Sequence, residues 1–203
     1  MERWPALELA STIRHDGDGG VADDLTTVRD TTTWLAGQAD LLAEEVPLTE
    51  IAVDEELRLG LVALRQAVRA LFAHAVSPAP PSPADARRLL PVDEALARLN
   101  STAARVPVVP QLHWQEDAPP AAAHHRTSEV DPGAVLLAAL ARATIDFLTG
   151  PQRERLRACT APRCVRYFVK SHGRQEWCKT SCGNRARAAR HYRRHRASGG
   201  AGG

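Results

Sequence analysis

The chain has 203 residues, enough to bury one good apolar core together with one small metal-stapled module. Its formal charge of +2 conceals a division: residues 151–203 hold 14 of the 26 lysines and arginines and 2 of the 24 acids, which leaves residues 1–150 acidic. That asymmetry points to nucleic acid contacted through the basic end only. The absence of a secretory leader after Met1 and of an apolar run near the ~20 residues of a membrane span predicts a cytoplasmic protein.

In chain order, PALELASTI at 5–13 reads as a short helix with Leu7, Leu9 and Ile13 apolar, and HDGDGG at 15–20 as a turn. Asp30 is the expected cap of a helix through TTTWLAGQADLLAEE. Trp34, Leu35, Leu41 and Leu42 share one face of it, Gly37 is its weak point and Pro47 its end. A long helix follows from Ile51 or Asp54 to Val76, with Leu57, Leu61, Leu64, Val68, Leu71 and Phe72 as a core-facing stripe. SPAPPSP at 77–83 is a stop and a linker. A further helix is expected from Pro83 to Thr102, with Leu89, Leu96 and Leu99 inward, Pro91 as a kink and Asn100 near its end. Prolines and β-branched residues at 106–114 and 121–130 predict a hairpin around EDAPP. Asp131 then caps a helix through PGAVLLAALARATIDFLTG, with Pro132 in its first turn and Gly150 at its end. Its wide apolar ring makes it the central core helix.

After Gly150 the chain becomes polar and basic. PQRERLRA is a short helix or connector, VRYFVK a short strand, SHGRQ a turn, and Ser181 to Arg196 a helix before a disordered SGGAGG tail at 198–203. All four cysteines fall here in two close pairs, Cys159 with Cys164 and Cys178 with Cys182. Two such pairs bracketing a short loop suit a tetrahedral four-thiolate zinc site. Disulfides are rare in a reducing compartment, redox pairs usually read C-x-x-C, and core thiols are scattered rather than paired within arginine-rich sequence. Ligation by His191 and His195 with the first cysteine pair would leave Cys178 and Cys182 idle. Four sulfurs fill the coordination shell, so the single zinc is structural.

The run Trp177-Cys178, three residues, then Cys182-Gly183-Asn184-Arg185 resembles the CGNR zinc finger family. LRACTAPRC, VRYFV and the basic tail extend the resemblance, and LELASTIR, DTTTWLAG, LGLVALRQAV and ARLNSTA resemble the ABATE domains that precede such fingers. The resemblance implies a stress-induced transcription regulator whose N-terminal domain senses a small-molecule ligand.

The resulting expectation is a mostly α fold. A helical domain with a small β-hairpin occupies residues 1–150. A treble-clef-like or knuckle-type four-cysteine finger ending in a basic helix occupies 151–197. In that helix Arg187, Arg190, His191 and Arg194 are spaced i, i+3, i+4 and i+7, with Arg185, Arg193 and Arg196 flanking. Guanidinium forks fit phosphates and guanine edges, so DNA is the expected partner. RNA, or an acidic protein docked on the helix, are the alternatives. Ala188, Ala189 and Tyr192 form the face expected to pack on the finger. A single finger buries little surface, which favours a homodimer. Tyr167, Phe168 and Trp177 read as the mini-core around the metal. Arg14, Trp34 and Arg65 are candidates for a ligand pocket, against the plainer reading as salt bridges and packing. No phosphate loop or H-E-x-x-H is present, and adjacent His124 and His125 on a strand point to opposite faces, so no enzyme activity is expected.

Overall fold

The computed structural model describes residues 3–16, 20–43, 46, 48, 51–85, 88–126 and 131–199, with the backbone alone for 124, 126 and 195–199. Within these residues α1 spans Pro5–Ala10, β1 Ile13–His15, β2 Val21–Asp23, α2 Val28–Ala36, α3 Ala39–Leu42, α4 Glu55–Val76 and α5 Val92–Ala104. There follow β3 Val108–His113, β4 Ala121–Arg126, α6 Pro132–Thr149, β5 Leu156–Ala158, β6 Tyr167–Val169 and α7 Thr180–Gly199. The strands form three separate antiparallel pairs, β1 with β2, β3 with β4 and β5 with β6. Pro47 and residues 17–19, 127–130 and 200–203 lie outside the described residues, so the stop at Pro47 and the glycine-rich end of the tail are not part of this picture.

Helices α4, α5 and α6 pack together, with α1 against α4 and α6. The whole predicted stripe of α4 is buried, from Leu57 to Phe72. Asp54 starts that helix by accepting from the Leu57 amide at 2.8 Å. Asp131 does the same for Ala134 in α6, which buries Val135 to Ala141 in an unbroken run. At Gly60 α4 lies close against α6: a Cβ there would lie 2.8 Å from Leu137 Cδ1. Both helices are long and apolar enough to cross a bilayer by composition, and at least half of each is buried in the fold.

Four sequence expectations shift. The cap of α2 is Thr27, whose Oγ1 accepts from the Asp30 amide and donates to the Asp30 carboxylate, so Asp30 sits in the first turn. The helix then breaks at Gly37 and Gln38 before α3. Helix α5 begins only after Pro91, because the ring of proline excludes the residues before it from helix. With that start, Ala95 and Leu99 face inward, Leu89 and Leu96 are exposed, and the helix continues past Asn100 to Ala104. The SPAPPSP segment ends α4 at Ser77 but is no free linker, since Ser82 is fully buried.

The buried position of Ser82 marks the seam between the two halves of the chain. Tyr167 of β6 is inserted into the helical core, edge-on to Phe72 with ring centroids 5.6 Å apart. Its hydroxyl donates to Asp85 Oδ2 at 2.7 Å and accepts from the Ser82 amide at 3.2 Å. Arg69 of α4 grips the same carboxylate through Nε at 2.7 Å and Nη2 at 3.0 Å. Arg69 also donates to Ala10 O and Val165 O, and Ser82 Oγ donates to Val165 O at 2.8 Å. Every member of this network is at most 7% exposed. The finger is thereby docked on the helical body by a buried, satisfied polar cluster.

Candidate metal centre and nucleic-acid interface

The first cysteine pair sits in the turn that joins β5 to β6. Beyond the last strand pair, Ala158 with Tyr167, one more bond runs from the Cys159 amide to Arg166 O at 2.9 Å. The chain then folds back through Ala161, whose carbonyl accepts from the Cys164 amide at 3.0 Å. Arg163 takes a left-handed conformation, φ 64°, to close that turn. The second pair comes from the start of α7: Cys178 precedes the helix and Cys182 lies in its first turn. There the positive end of the helix dipole favours a thiolate.

These two turns bring the four sulfurs within 4.8 Å of one another. Cys164 and Cys178 are 3.7 Å apart, and Cys178 and Cys182 3.5 Å. A tetrahedral zinc with Zn–S near 2.3 Å requires sulfur–sulfur edges of about 3.8 Å, so the donor set fits one ion. No pair is joined as a disulfide. Cys159, Cys164 and Cys182 are buried. Within the cluster, thiol donation from Cys159 and Cys178 pulls Cys164 well down, to about 2. Cys159 is pushed up to about 11, first by its bond to Cys164, and Cys178 is pushed up as well, first by its bond to Cys159. One thiolate resists the next until a cation neutralises the group.

The residues between and after the last two cysteines each have a physical task. Trp177 lies against the start of α7, so a Cβ on Gly183 would stand 3.0 Å from its Cε3. Asn184 Oδ1 accepts from Arg187 Nη2, which orients that guanidinium. Arg185 is turned inward: its Nη2 donates to Cys182 Sγ at 3.2 Å, and it is half-buried. Phe168 and Trp177 pack on the cysteine cluster, as expected, but Tyr167 belongs to the helical core. The face of α7 that packs on the finger is Cys182, Ala186 and Ala189, and Tyr192, 71% exposed, is not on it. The sequence spacing offered Ala188, Ala189 and Tyr192 instead, because all three are weakly polar. Only the position of Trp177 decides which side of the helix is covered.

On the adjoining side, Arg187, Arg190, His191 and Arg194 do come together and line one shallow surface hollow. All four are exposed, and so is Arg193. Arg190 also stacks over Trp177, 5.5 Å from the ring centroid, which ties this face to the metal module. The side chains of His195 and Arg196 lie outside the described residues. At about 1.5 Å per residue, α7 is a basic rod roughly 30 Å long.

Of the candidates for a ligand pocket, Arg14 and Arg65 take the plainer role of salt-bridge partners. Arg65 is 5% exposed and donates to both Asp23 oxygens and to Thr12 Oγ1. Burial alone would raise the Asp23 pKa, but the Arg65 bond and charge outweigh it and hold the carboxylate low. Arg14 pairs with Asp24 at 2.7 Å. Arg14 and Trp34 line one hollow together with Asp23, Asp24 and Asp30, so its wall is acidic and the arginines are answered internally.

With this geometry in place, comparison with known families gives two matches. A family model described as "ABATE: Putative stress-induced transcription regulator" covers residues 4–151. A second, described as "CGNR zinc finger", covers residues 155–195. No curated protein matches the chain.

Proposed function

The chain belongs to the ABATE family and carries a C-terminal CGNR zinc finger, and from that premise we propose that it is a DNA-binding transcription regulator rather than an enzyme. The observation that carries the reading is the exposed face of Arg187, Arg190, His191 and Arg194 on a helix clamped by the metal centre. The zinc fixes where α7 leaves the finger, Trp177 and Ala186 fix which side is covered, and the basic side is left for a major groove or phosphate backbone. The acidic N-terminal body repels DNA, which confines contact to this helix. A ligand bound by the N-terminal domain reports to the finger through the Arg69–Asp85–Tyr167 seam. The protein acts in the cytoplasm, as a homodimer, because one finger buries too little surface to select a genomic site alone.

The test is selected-site sequencing with the zinc-loaded full chain, followed by binding measured against salt. Enrichment of one sequence supports the reading, together with a log–log salt slope near roughly −4.5, expected for about five neutralised phosphates. Equal affinity for every duplex and for RNA rejects sequence-specific regulation. Light scattering on the free and bound protein reads the oligomer.

A further inference from the structure

A concave site lies at the seam between the two halves of the chain, apart from the exposed face of α7. A cavity of about 310 Å³ is bounded on the body side by Arg14, His15 and Asp16 at the end of β1. Cys164, Arg166, Lys179 and Arg185 bound it on the finger side. Four permanent cations thus face one carboxylate. Asp16 is already bonded to the Gly20 amide at 2.9 Å. Asp24 answers Arg14, and the Cys182 sulfur answers one nitrogen of Arg185. The Arg185 Nε is buried with no hydrogen-bond partner. Arg166 and Lys179 make no side-chain hydrogen bond or ion pair among the described residues.

A zinc tetrathiolate would draw on part of this charge, but its sulfurs are weak acceptors and cannot satisfy forked donors from several directions. A phosphoryl group can: it has three or more strong acceptor oxygens and a charge near −2 at neutral pH. A guanidinium from each side of the seam and the Lys179 ammonium suit such an oxyanion. We propose that this cavity binds the phosphate group of a small phosphate ester or of inorganic phosphate, bridging the β1–β2 hairpin to the finger. The ligand would then strengthen the seam that sets the direction of α7. This inference does not depend on DNA binding.

The chain has two lysines, Lys170 and Lys179, which makes one measurement clean. Lys170 Nζ donates to the nearby Gly173 carbonyl and serves as the internal control. The zinc-loaded full chain is acylated in inorganic phosphate or in chloride of equal ionic strength, and the two lysines are mapped by mass spectrometry. We expect phosphate to slow Lys179 by about tenfold relative to Lys170, as occupancy at roughly ten times Kd requires. Equal rates in the two salts overturn the proposal. So does protection by duplex DNA alone, since Lys179 would then answer the nucleic-acid backbone. Independently, Arg166→Gln with full zinc content should weaken phosphate binding about tenfold by calorimetry, and an unchanged affinity also overturns it. If that variant does not fold, the lysine measurement on the unaltered chain stands alone.

Discussion

Single residues decide how well the metal centre is built. The literal run after Cys182 reads as a signature in sequence, and each of its positions has a local cause. Gly183 keeps Trp177 in contact with α7, Asn184 orients Arg187, and Arg185 donates to a ligand sulfur. Gly183→Ala must displace the indole by several tenths of an ångström, an overpacking of about 1–3 kcal/mol. Competition with a chromophoric chelator should show zinc held roughly tenfold or more weakly in that variant, with the helical body unchanged. Arg163 offers the opposite case. Its φ of 64° suits glycine, so Arg163→Gly should retain zinc and change finger stability by no more than about 1 kcal/mol. Asp23 sets an acid limit. Its pKa is depressed in the folded state, so the stability it contributes is complete above the unfolded value near about 4. That contribution is lost as pH falls through the folded value. Melting temperatures between about pH 2 and 6 should therefore fall more steeply for the natural chain than for Asp23→Asn, zinc loss being common to both.

Elements meet through the buried polar seam and through the basic face. Asp85 is shared by Arg69 and Tyr167, and all three are almost fully buried. Removing the carboxylate with Asp85→Ala strands a buried guanidinium, at about 3–5 kcal/mol. Denaturant unfolding should show that loss, and faster amide hydrogen exchange across β5 and β6 should report a finger freed from the body. Tyr167→Phe deletes one donor and leaves Asp85 with Arg69, so its cost should be about 1–2 kcal/mol. On α7, Arg187→Ala with Arg194→Ala removes two exposed cations without touching the sulfurs. DNA affinity should drop, and the log–log salt slope should shrink by about 1.8. An unchanged slope would place the DNA contact elsewhere on the molecule.

At the scale of the whole molecule, the protein is one body with a metal-dependent edge. A segment the size of the finger has too little apolar interior to fold unaided, and zinc on four thiolates supplies roughly 10–16 kcal/mol of apparent free energy. Yet β5 and β6 are also held by α4 and the Tyr167 insertion. Chelation should therefore melt α7 and the knuckles, read as lost helical circular dichroism, while the helical core persists to a separate thermal transition. What the sequence determined alone is whatever depends on short spacing: the cysteine pairs, the cap at Asp131, the stripe of α4, and the arginine repeat of α7. These follow from backbone periodicity and from residues within a turn or two of each other. What only the tertiary structure decided are relations between residues far apart in the chain. Ser82 looked like linker and is buried, because Val165 and Tyr167 arrive from more than eighty residues away. Arg65 looked like a ligand group and is occupied by Asp23. Arg185 looked like a DNA contact and faces a sulfur. A side chain's charge is written in its identity, but the partner that neutralises it is chosen by packing.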